Sequence, residues 1–352
     1  MKRPYLVHFL SIFTDEFISI KAYSGIKDND LGLAKDYGPS FPLQNFYLLR
    51  SHHFNCKFVG VDQTGQEIYT KLVESDNFGN FSFKVPLTDT TKDISRWQVY
   101  ETSFYTGLDL HLGCFIPITL KSPKKFVICD FDKTLVDTRY STTKELYHSL
   151  TSPIESYPTV KPGVDLFKSF IEKDYSPFIV SASPHFYENA IKDWLYKKGI
   201  YTAGILLKDY RHAFHPFSGE LSPKDIKVHG LYKLNHLLNI ILQSGFPSEV
   251  VMIGDSHESD PMIYLIFSKL LKGSRDPWAV WNSIKQFPIF KSSKSQSSKI
   301  LNKFYQLKNL KLRHKEEQDI KVSIYIRRIK KNEKLKIPSA LEKDAQNITF
   351  FN

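Results

Sequence analysis

Two acids and a hydroxyl follow a short apolar run in the stretch FVICDFDKTLVDT. Asp130 and Asp132 stand two residues apart, and Thr134 follows at the same spacing. The run before them is short, β-branched and not alternating, which predicts a buried strand of a parallel sheet. Ligands of open α/β sheets bind at the carboxyl ends of the strands. Because two carboxylates at that edge oppose each other's ionisation, they indicate a cation beside them.

Two further segments have the same design, an apolar strand that ends in polar groups. SPFIVSASP ends with Ser181 and Ser183, and SEVVMIGDSHESDP carries Asp255 and Asp260. Strands that alternate with helices form parallel sheets, whose carboxyl ends lie along one edge. We therefore expect these side chains to meet in one site.

An oxygen-only site of this kind selects a hard cation, most often Mg²⁺. Carboxylates that hold Mg²⁺ beside hydroxyls and a lysine suit phosphoryl transfer. Lys233 lies in the helical stretch GLYKLNHLLNIILQSG and would neutralise the phosphate. Ser181 would donate a hydrogen bond to the phosphate, and Asp130 would attack phosphorus to form an aspartyl-phosphate. The residues alone therefore predict a phosphoryl-transfer enzyme.

Plainer interpretations of the same residues remain open. The aspartates could be helix caps or turn residues, and the two serines could cap helices or stabilise turns. Lys233 could be a solvated helix residue, with Lys227 or Lys208 as the functional amine instead. The histidines near these segments lack a second ligand at helical or hairpin spacing, so we expect surface or packing roles for them.

The elements that must position these residues divide the chain in two. Residues 1–120 show alternating aromatic and β-branched runs and no helical period, which predicts an all-β sandwich. Residues 121–337 alternate strand and helix, which predicts an α/β domain with a doubly wound, Rossmann-like parallel sheet. We interpret residues 338–352 as a C-terminal tail.

Length and composition indicate a globular protein of about two domains. No run approaches the roughly 18 to 20 apolar residues of a membrane-spanning helix. Pro4 and His8 interrupt the first apolar run, so we interpret it as part of the fold and not as a signal peptide. The three cysteines share no metal-type spacing and fit a reducing compartment. We therefore expect a cytoplasmic protein.

The formal net charge of +11 is concentrated near the C-terminus. It is −2 over residues 1–120, +3 over residues 121–290 and +10 over residues 291–352, from 11, 21 and 16 basic against 13, 18 and 6 acidic residues. This bias favours an anionic partner such as a membrane surface, although a solvated face is the simpler alternative. No interleaved aromatic platform is present, so we expect no nucleic-acid partner.

Four motifs in this order resemble those of the haloacid dehalogenase-like (HAD) phosphatases. Each lies at a predicted strand end or helix start: D-F-D-K-T from Asp130 to Thr134, Ser181, Lys233, and G-D-S-x-x-x-D from Gly254 to Asp260. One such motif could arise by chance, whereas four in order are a specific pattern. The resemblance implies a HAD-like fold for the α/β domain.

The same resemblance implies a role for each acid. Asp130 would be the nucleophile, and Asp132 would be the general acid and base. Mg²⁺ would lie between Asp130, the backbone carbonyl of Asp132 and Asp255. Asp260 would support the metal or orient the lysine. The expected metal ligands are therefore Asp130, Asp132, Asp255 and Asp260, and the expected phosphate-binding residues are Thr134, Ser181 and Lys233.

A narrower resemblance covers most of the chain. The segments V-S-A-S-P, L-K-D-Y-R, G-D-S-H-E-S-D-P-M-I-Y and I-Y-I-R, with a D-x-x-G-x-F signature at Asp76, Gly79 and Phe81, are similar to those of the actin-patch-associated phosphatidate phosphatase family. The resemblance implies a Mg²⁺-dependent enzyme that removes phosphate from phosphatidic acid and leaves diacylglycerol. The alternatives are a HAD phosphatase for a soluble phosphomonoester, and a non-catalytic lipid- or protein-binding module on the same fold.

This resemblance also makes residues 274–319 a basic insertion before the last strand of the sheet. The insertion could contain a helix with Ile300, Leu301, Phe304 and Leu307 on one side. A lipid phosphatase without a membrane anchor must meet its substrate at an interface. We therefore expect peripheral contact with an anionic membrane surface through this insertion.

Overall fold

The computed structural model describes most of the chain, in the ranges 2–28, 42, 52–139, 143–209, 230–257, 259–273, 275–314, 320–329, 335, 337–338 and 341–352. The chain forms two compact units, and the main division between them falls between Leu120 and Lys121. Lys227, the alternative amine, lies outside the described residues, as do His212 and His215.

The first unit contains two four-stranded sheets in its described part. The strands are β1 (Lys2–Phe13), β2 (Phe17–Asp28), β3 (Asn55–Val61), β4 (Glu67–Glu74), β5 (Asn80–Pro86), β6 (Arg96–Tyr105), β7 (Leu108–Phe115) and β8 (Ile118–Thr119). The sheet orders are β5-β2-β1-β8 and β4-β3-β6-β7. Neighbours are antiparallel except for β8, which pairs parallel to β1. Alternation sends Ile18 and Ile20 of one sheet and Phe58 and Trp97 of the other into a shared core.

The D-x-x-G-x-F signature forms the turn that begins β5. The Asp76 carboxylate accepts a hydrogen bond from the backbone N–H of Asn80 at 2.9 Å. Gly79 has a φ of +80°, and a Cβ there would lie 2.3 Å from the carbonyl oxygen of Ser24. Both the positive φ and the lack of space for a Cβ therefore require glycine at this position. Phe81 follows and is buried in the core of this unit.

The second unit contains a parallel sheet of six strands. They are β9 (Lys125–Cys129), β10 (Ser176–Pro184), β11 (Gly204–Lys208), β12 (Glu249–Asp255), β13 (Lys321–Arg327) and β14 (Ile348–Phe351). The spatial order is β11-β10-β9-β12-β13-β14, and every pair is parallel. The direction of the order reverses between β9 and β12. At such a switch point the strand ends leave a crevice for a ligand.

Helices connect these strands: α1 (Thr143–Thr151), α2 (Lys161–Ile171), α3 (Glu188–Lys197), α4 (Gly230–Ser244), α5 (Asp260–Lys272), α6 (Pro277–Ile284), α7 (Lys294–Arg313) and α8 (Glu342–Ala345). The structure confirms α4, whose leucines and isoleucines at helical spacing are buried. Gly245 follows this helix with a φ of +85° and ends it. No helix in the described ranges is long and apolar enough to cross a membrane.

The predicted insertion at residues 274–319 is largely helical where it is described. Ser293 and Gln296 form a capping box, with hydrogen bonds of 3.2 and 3.0 Å, that starts α7. The serine-rich stretch SSKSQSSK, residues 292–299, therefore contains the start of this helix. Ile300, Phe304 and Leu307 are buried and Leu301 is half-buried, which confirms the predicted apolar side of this helix.

The structure corrects the interpretation of residues 338–352 as a tail. Residues Ile348–Phe351 form β14, which pairs parallel to β13 at the edge of the sheet. The I-Y-I-R strand is therefore not the last strand. With only four residues, β14 is too short for a period-2 pattern to reveal it.

Candidate active site

The candidate site lies at the edge of the sheet where the strands end, which is called the catalytic edge after the chemistry predicted for it. It begins where β9 ends. Cys129 pairs with Ile253, which brings the ends of β9 and β12 level with each other. The backbone N–H of Asp130 donates a hydrogen bond to the carbonyl oxygen of Ile253 at 2.9 Å. Asp255 is the last residue of β12. The sheet register therefore places these two acids side by side at the switch point.

Three buried acids form a cluster here, called the carboxylate triad: Asp130, Asp255 and Asp260. One carboxylate oxygen from each lies within 4.8 Å of the others. Each residue is at most 1% exposed. Asp260 is the first residue of α5, and a Cβ on Gly254 would lie 2.4 Å from its Oδ2. Glycine at position 254 is therefore a condition for the triad to close.

Lys233 contacts two members of this triad. Its Nζ lies 2.9 Å from Asp130 Oδ1 and 2.5 Å from Asp260 Oδ1, and its side chain is 1% exposed. Lys208, an alternative amine, lies over the ring of Tyr232 instead, with its Nζ 5.9 Å from the ring centroid. The first turn of α4 thus brings Lys233 to the site that the sequence predicted.

The triad and Lys233 carry a formal charge of −2 when all four groups are ionised. Burying charge of one sign is costly, and a divalent cation at the triad would offset it. The donor set consists only of carboxylate oxygens, which suits a hard cation such as Mg²⁺. The residues present therefore fit the predicted metal.

Asp132 lies in a different environment, formed by hydroxyl groups. Ser181 and Ser183 each donate a hydrogen bond to its Oδ2 at 2.7 Å, and Thr138 donates one to its Oδ1 at 2.9 Å. Its side chain is not part of the carboxylate triad. Asp132 could therefore contact the predicted metal through its backbone carbonyl but not through its carboxylate.

The loop that carries Asp132 turns tightly. Lys133 has a φ of +59°, and its N–H donates a hydrogen bond to the carbonyl oxygen of Val136 at 2.7 Å. Thr134 donates a hydrogen bond to Asp130 Oδ2 at 3.2 Å. The start of α2 closes on this loop, because a Cβ on Gly163 would lie 2.1 Å from the carbonyl oxygen of Thr134.

The thiol of Cys129, which lies beside the triad, stays protonated and unreactive. Cys129 is fully buried, and desolvation raises the pKa of its thiol well above the usual value, with the Asp130 charge adding to the effect. The thiol contacts the carbonyl oxygen of Asp130 with its sulfur at 3.1 Å. A protonated thiol is a weak nucleophile, so Cys129 does not compete with the acids.

Sequence reasoning missed Thr138 and left Ser183 open. The period of a strand does reveal Ser183, because residues two apart point to the same face. Ser181 and Ser183 therefore reach the same acid. Thr138 lies in an irregular loop, and no pattern in the sequence indicates its contact. His257 contributes its backbone N–H, which donates a hydrogen bond to Asp255 Oδ1 at 2.6 Å.

Comparison with solved structures gives only weak similarities. The structure of the Pnkp1/Rnl/Hen1 complex shares 16% identity over 44% of this chain and 50% of that chain, with a TM-score of 0.28. A β-glucuronidase of Bifidobacterium dentium shares 7% identity over 92% of this chain and 44% of that one, with a TM-score of 0.25. The chain thus spans half or less of the length of these structures. Such low scores carry no argument about fold or function.

Comparison with protein families is more informative. No curated protein sequence matches the chain. Residues 126–274, less than half of the chain, match the model of a family described as phosphatidate phosphatase APP1, catalytic domain. The matched stretch contains the triad, Asp132, and Lys233. This stretch is therefore similar to the catalytic domain of a phosphatase family.

Proposed function

We propose that the protein is a Mg²⁺-dependent phosphatidate phosphatase with a HAD-like, doubly wound catalytic domain. The observation that carries the proposal is the buried carboxylate triad with Lys233, inside the stretch that matches the family. Caps and turns do not explain three buried carboxylates in one cluster, two of which contact the same buried lysine. Such a cluster is the arrangement expected where a metal and a phosphate bind.

Asp130, Asp255 and Asp260 would hold the metal, and the backbone carbonyl of Asp132 would be a further ligand. When bound, Mg²⁺ neutralises charge on the phosphate. Lys233 contributes a second positive charge at the same place. Together they allow a carboxylate to approach a phosphate dianion, which it would otherwise repel.

The reaction proceeds in two steps. An oxygen of Asp130 attacks phosphorus, the bond from phosphorus to the glycerol oxygen breaks, and protonated Asp132 gives its proton to that oxygen. Diacylglycerol leaves. Asp132 then takes a proton from a water molecule that attacks the aspartyl-phosphate, which releases inorganic phosphate and restores Asp130.

Thr134 and Ser181 have a double role in this proposal. In the structure their hydroxyls donate to Asp130 and Asp132 respectively, at 3.2 and 2.7 Å. A hydroxyl has one proton to donate. Both hydroxyls therefore orient the acids before substrate binds and turn to the phosphate oxygens when it arrives.

A phosphate-release panel tests the function. Phosphatidic acid in mixed micelles is compared with soluble phosphomonoesters, in Mg²⁺ and in a chelator, with Asp130→Asn as the blank. We expect release from phosphatidic acid that follows its surface concentration, requires Mg²⁺ and vanishes in the variant. Phosphate monoesters hydrolyse so slowly without a catalyst, with accelerations up to about 10²¹-fold, that the blank should release essentially nothing.

The other outcomes decide between the alternatives. If phosphate is released from soluble esters as fast as from phosphatidic acid or faster, the lipid is not the preferred substrate, but the proposed mechanism still holds. Release that persists in Asp130→Asn would refute the covalent mechanism. No release from any ester would favour the non-catalytic lipid- or protein-binding module.

Membrane contact through the insertion is the second part of the proposal. Exposed Lys294 and Lys299 lie in the first turns of α7. The residues just before this helix reach the start of α4, since a Cβ on Gly230 would lie 2.6 Å from the carbonyl oxygen of Ile289. Lys233 follows one turn later. The first part of α7 therefore lies toward the catalytic edge, and each lysine near an anionic leaflet contributes about 1 kcal/mol.

Flotation with vesicles that contain phosphatidic acid tests this contact. Lys294→Glu with Lys299→Glu should weaken binding. Lys308→Glu with Arg313→Glu is the matched control, because these exposed residues change the same charge at the far end of the same helix. Equal loss in both pairs would show a general charge effect and no docking surface at the catalytic edge.

A further inference from the structure

Arg327 connects the two loops that form the catalytic edge. It is the last residue of β13 and pairs with Asp255 in the register with β12. Its carbonyl oxygen accepts a hydrogen bond from the backbone N–H of Ser256 at 3.0 Å, in the loop that follows β12. Its side chain reaches the other loop, which carries Asp132.

The guanidinium group of Arg327 holds that loop at two points. Its Nη1 donates a hydrogen bond to the carbonyl oxygen of Lys133 and lies 3.6 Å from Asp137 Oδ1. The Arg327 side chain is 19% exposed, so water competes with these contacts only in part. A guanidinium presents several N–H groups in one plane, which lets it contact a carbonyl and a carboxylate together.

The residue that Arg327 holds is in an unfavourable conformation. Lys133 has a φ of +59°, in the left-handed region that costs a residue with a Cβ about 1 kcal/mol or more. Such a conformation persists only where surrounding contacts enforce it. The contact with Arg327 acts on the carbonyl group of this same residue, next to Asp132.

We propose that Arg327 is a positioning residue that enforces the left-handed conformation of Lys133 and thereby fixes the direction of Asp132. Without the guanidinium, Lys133 would relax toward negative φ. The peptide between the two residues would rotate, and the Asp132 carboxylate would leave the hydroxyls of Ser181, Ser183 and Thr138. The role in catalysis rests on the proposed function, whereas the effect on the loop does not.

Arg328 provides a matched control one residue away. Its guanidinium lies 3.8 Å from the centroid of the Phe350 ring, on the edge strand β14. No contact with the Asp132 loop is recorded for it among the described residues. Arg328→Ala therefore removes the same side chain from the same strand end without releasing Lys133.

Steady-state kinetics of phosphate release tests the catalytic part. Arg327→Ala should lower kcat by about 10- to 100-fold with KM nearly unchanged, since a misplacement of about 1 Å can cost 10²-fold. Arg328→Ala should stay within about two-fold of the wild type. Arg327→Lys should lie between them, because an ammonium contacts one of the two acceptors.

A second substitution tests the conformational cause. Glycine adopts positive φ without strain, so Lys133→Gly should restore part of the kcat lost in Arg327→Ala. If the double variant is as slow as Arg327→Ala, or if Arg328→Ala loses as much activity, the proposal is overturned. An effect on KM alone would also overturn it.

Hydrogen exchange gives a readout that needs no substrate. The amides of residues 131–138 should exchange faster in Arg327→Ala than in Arg328→Ala, while those of β10 remain protected in both. Equal exchange in the two variants would overturn the positioning role. If faster exchange in Arg327→Ala accompanied a wild-type protein that released no phosphate, the proposed function would fail and the positioning role would stand.

Discussion

Replacing Lys233 by methionine separates the electrostatic role of the cation from its packing. Methionine keeps an unbranched side chain in the same buried position, whereas the charge is lost. Lys233 is the cation within 2.9 Å of Asp130 and 2.5 Å of Asp260. In the metal-free protein the variant therefore removes a buried positive charge from beside the carboxylate triad.

The size of the effect follows from these distances. At an effective dielectric constant of about 20, unit charges at 2.9 and 2.5 Å attract each other by about 6 and 7 kcal/mol. The desolvation of lysine offsets several kcal/mol of this sum, and breaking a buried ion pair costs about 3 to 5 kcal/mol in measured cases. We expect a loss of about 4 kcal/mol. That is a large share of the roughly 5 to 15 kcal/mol that stabilise a domain.

Calorimetry of the full chain in a chelator and in Mg²⁺ measures the effect. A loss of about 4 kcal/mol in a unit of this size lowers Tm by roughly 8 to 16 °C in the chelator. Mg²⁺ stabilises the folded protein by about 2.7 kcal/mol at 100 times its Kd. Because the variant's site is one charge more negative, Mg²⁺ should raise its Tm by more than it raises that of the wild type.

Lys303→Met is the matched control. Its Nζ also bonds to residues of α4, at 2.6 Å from Asn235 Oδ1 and 2.7 Å from Asn239 Oδ1, but both partners are neutral. We expect a smaller loss that is the same in the chelator and in Mg²⁺. If Lys233→Met loses the same stability in both solutions, the triad does not bind Mg²⁺ in the way the charges indicate.

Three further predictions concern single contacts. Ser183→Ala removes one hydrogen bond to Asp132 and should lower kcat roughly 10-fold, because a hydrogen bond to a charged group is worth about 1.5 to 3 kcal/mol. An unchanged kcat would contradict a role for this contact. Gly254→Ala places a methyl group 2.4 Å from a carboxylate oxygen of the triad and should destabilise the protein by about 1 to 3 kcal/mol, measured by urea unfolding; a neutral effect would mean that the triad can open without cost. The hydrogen bond from Tyr175 lowers the pKa of Glu249 in the folded protein. The stabilisation of the fold by this bond is therefore fully present above the pKa of Glu249 in the unfolded chain, about 4.3, and is lost as the pH falls through its folded pKa. Tyr175→Phe should therefore destabilise the protein at neutral pH and progressively less below about pH 4, and a constant difference across this range would contradict the linkage.

The elements at the catalytic edge were predictable from the sequence because each has a strong local signal. The apolar runs of β9 and β12 end at acids, and α4 has an apolar side and a glycine stop. The edge strand β14 was not predictable from the sequence, because it is four residues long and gains its stability from pairing with β13. Pairing partners far apart in the chain leave no local pattern.

The positions of the acids in the site could be predicted from the sequence, whereas the partners of the hydroxyls were harder to predict. Carboxylates at the ends of neighbouring parallel strands must meet, because the register of the sheet brings those ends together. The partner of a serine depends on which side chain the next loop presents. Ser183 and Thr138 reach Asp132 only after residues 130–138 have turned, and that turn depends on the conformation of Lys133. Tertiary contacts decide such a conformation.

The separation of Asp130 from Asp132 shows how two neighbouring acids can perform different chemistry. Asp130 lies 2.9 Å from an ammonium group and within 4.8 Å of two other carboxylates, so protonating it would remove an attraction between charges. Asp132 contacts three hydroxyls, and a hydroxyl can rotate from donating a hydrogen bond to accepting one. In the proposed mechanism a proton can therefore enter and leave Asp132 while Ser183 and Thr138 remain in contact with it. In the proposed mechanism this difference assigns nucleophilic attack to Asp130 and proton transfer to Asp132, although the two residues have identical side chains and stand two positions apart.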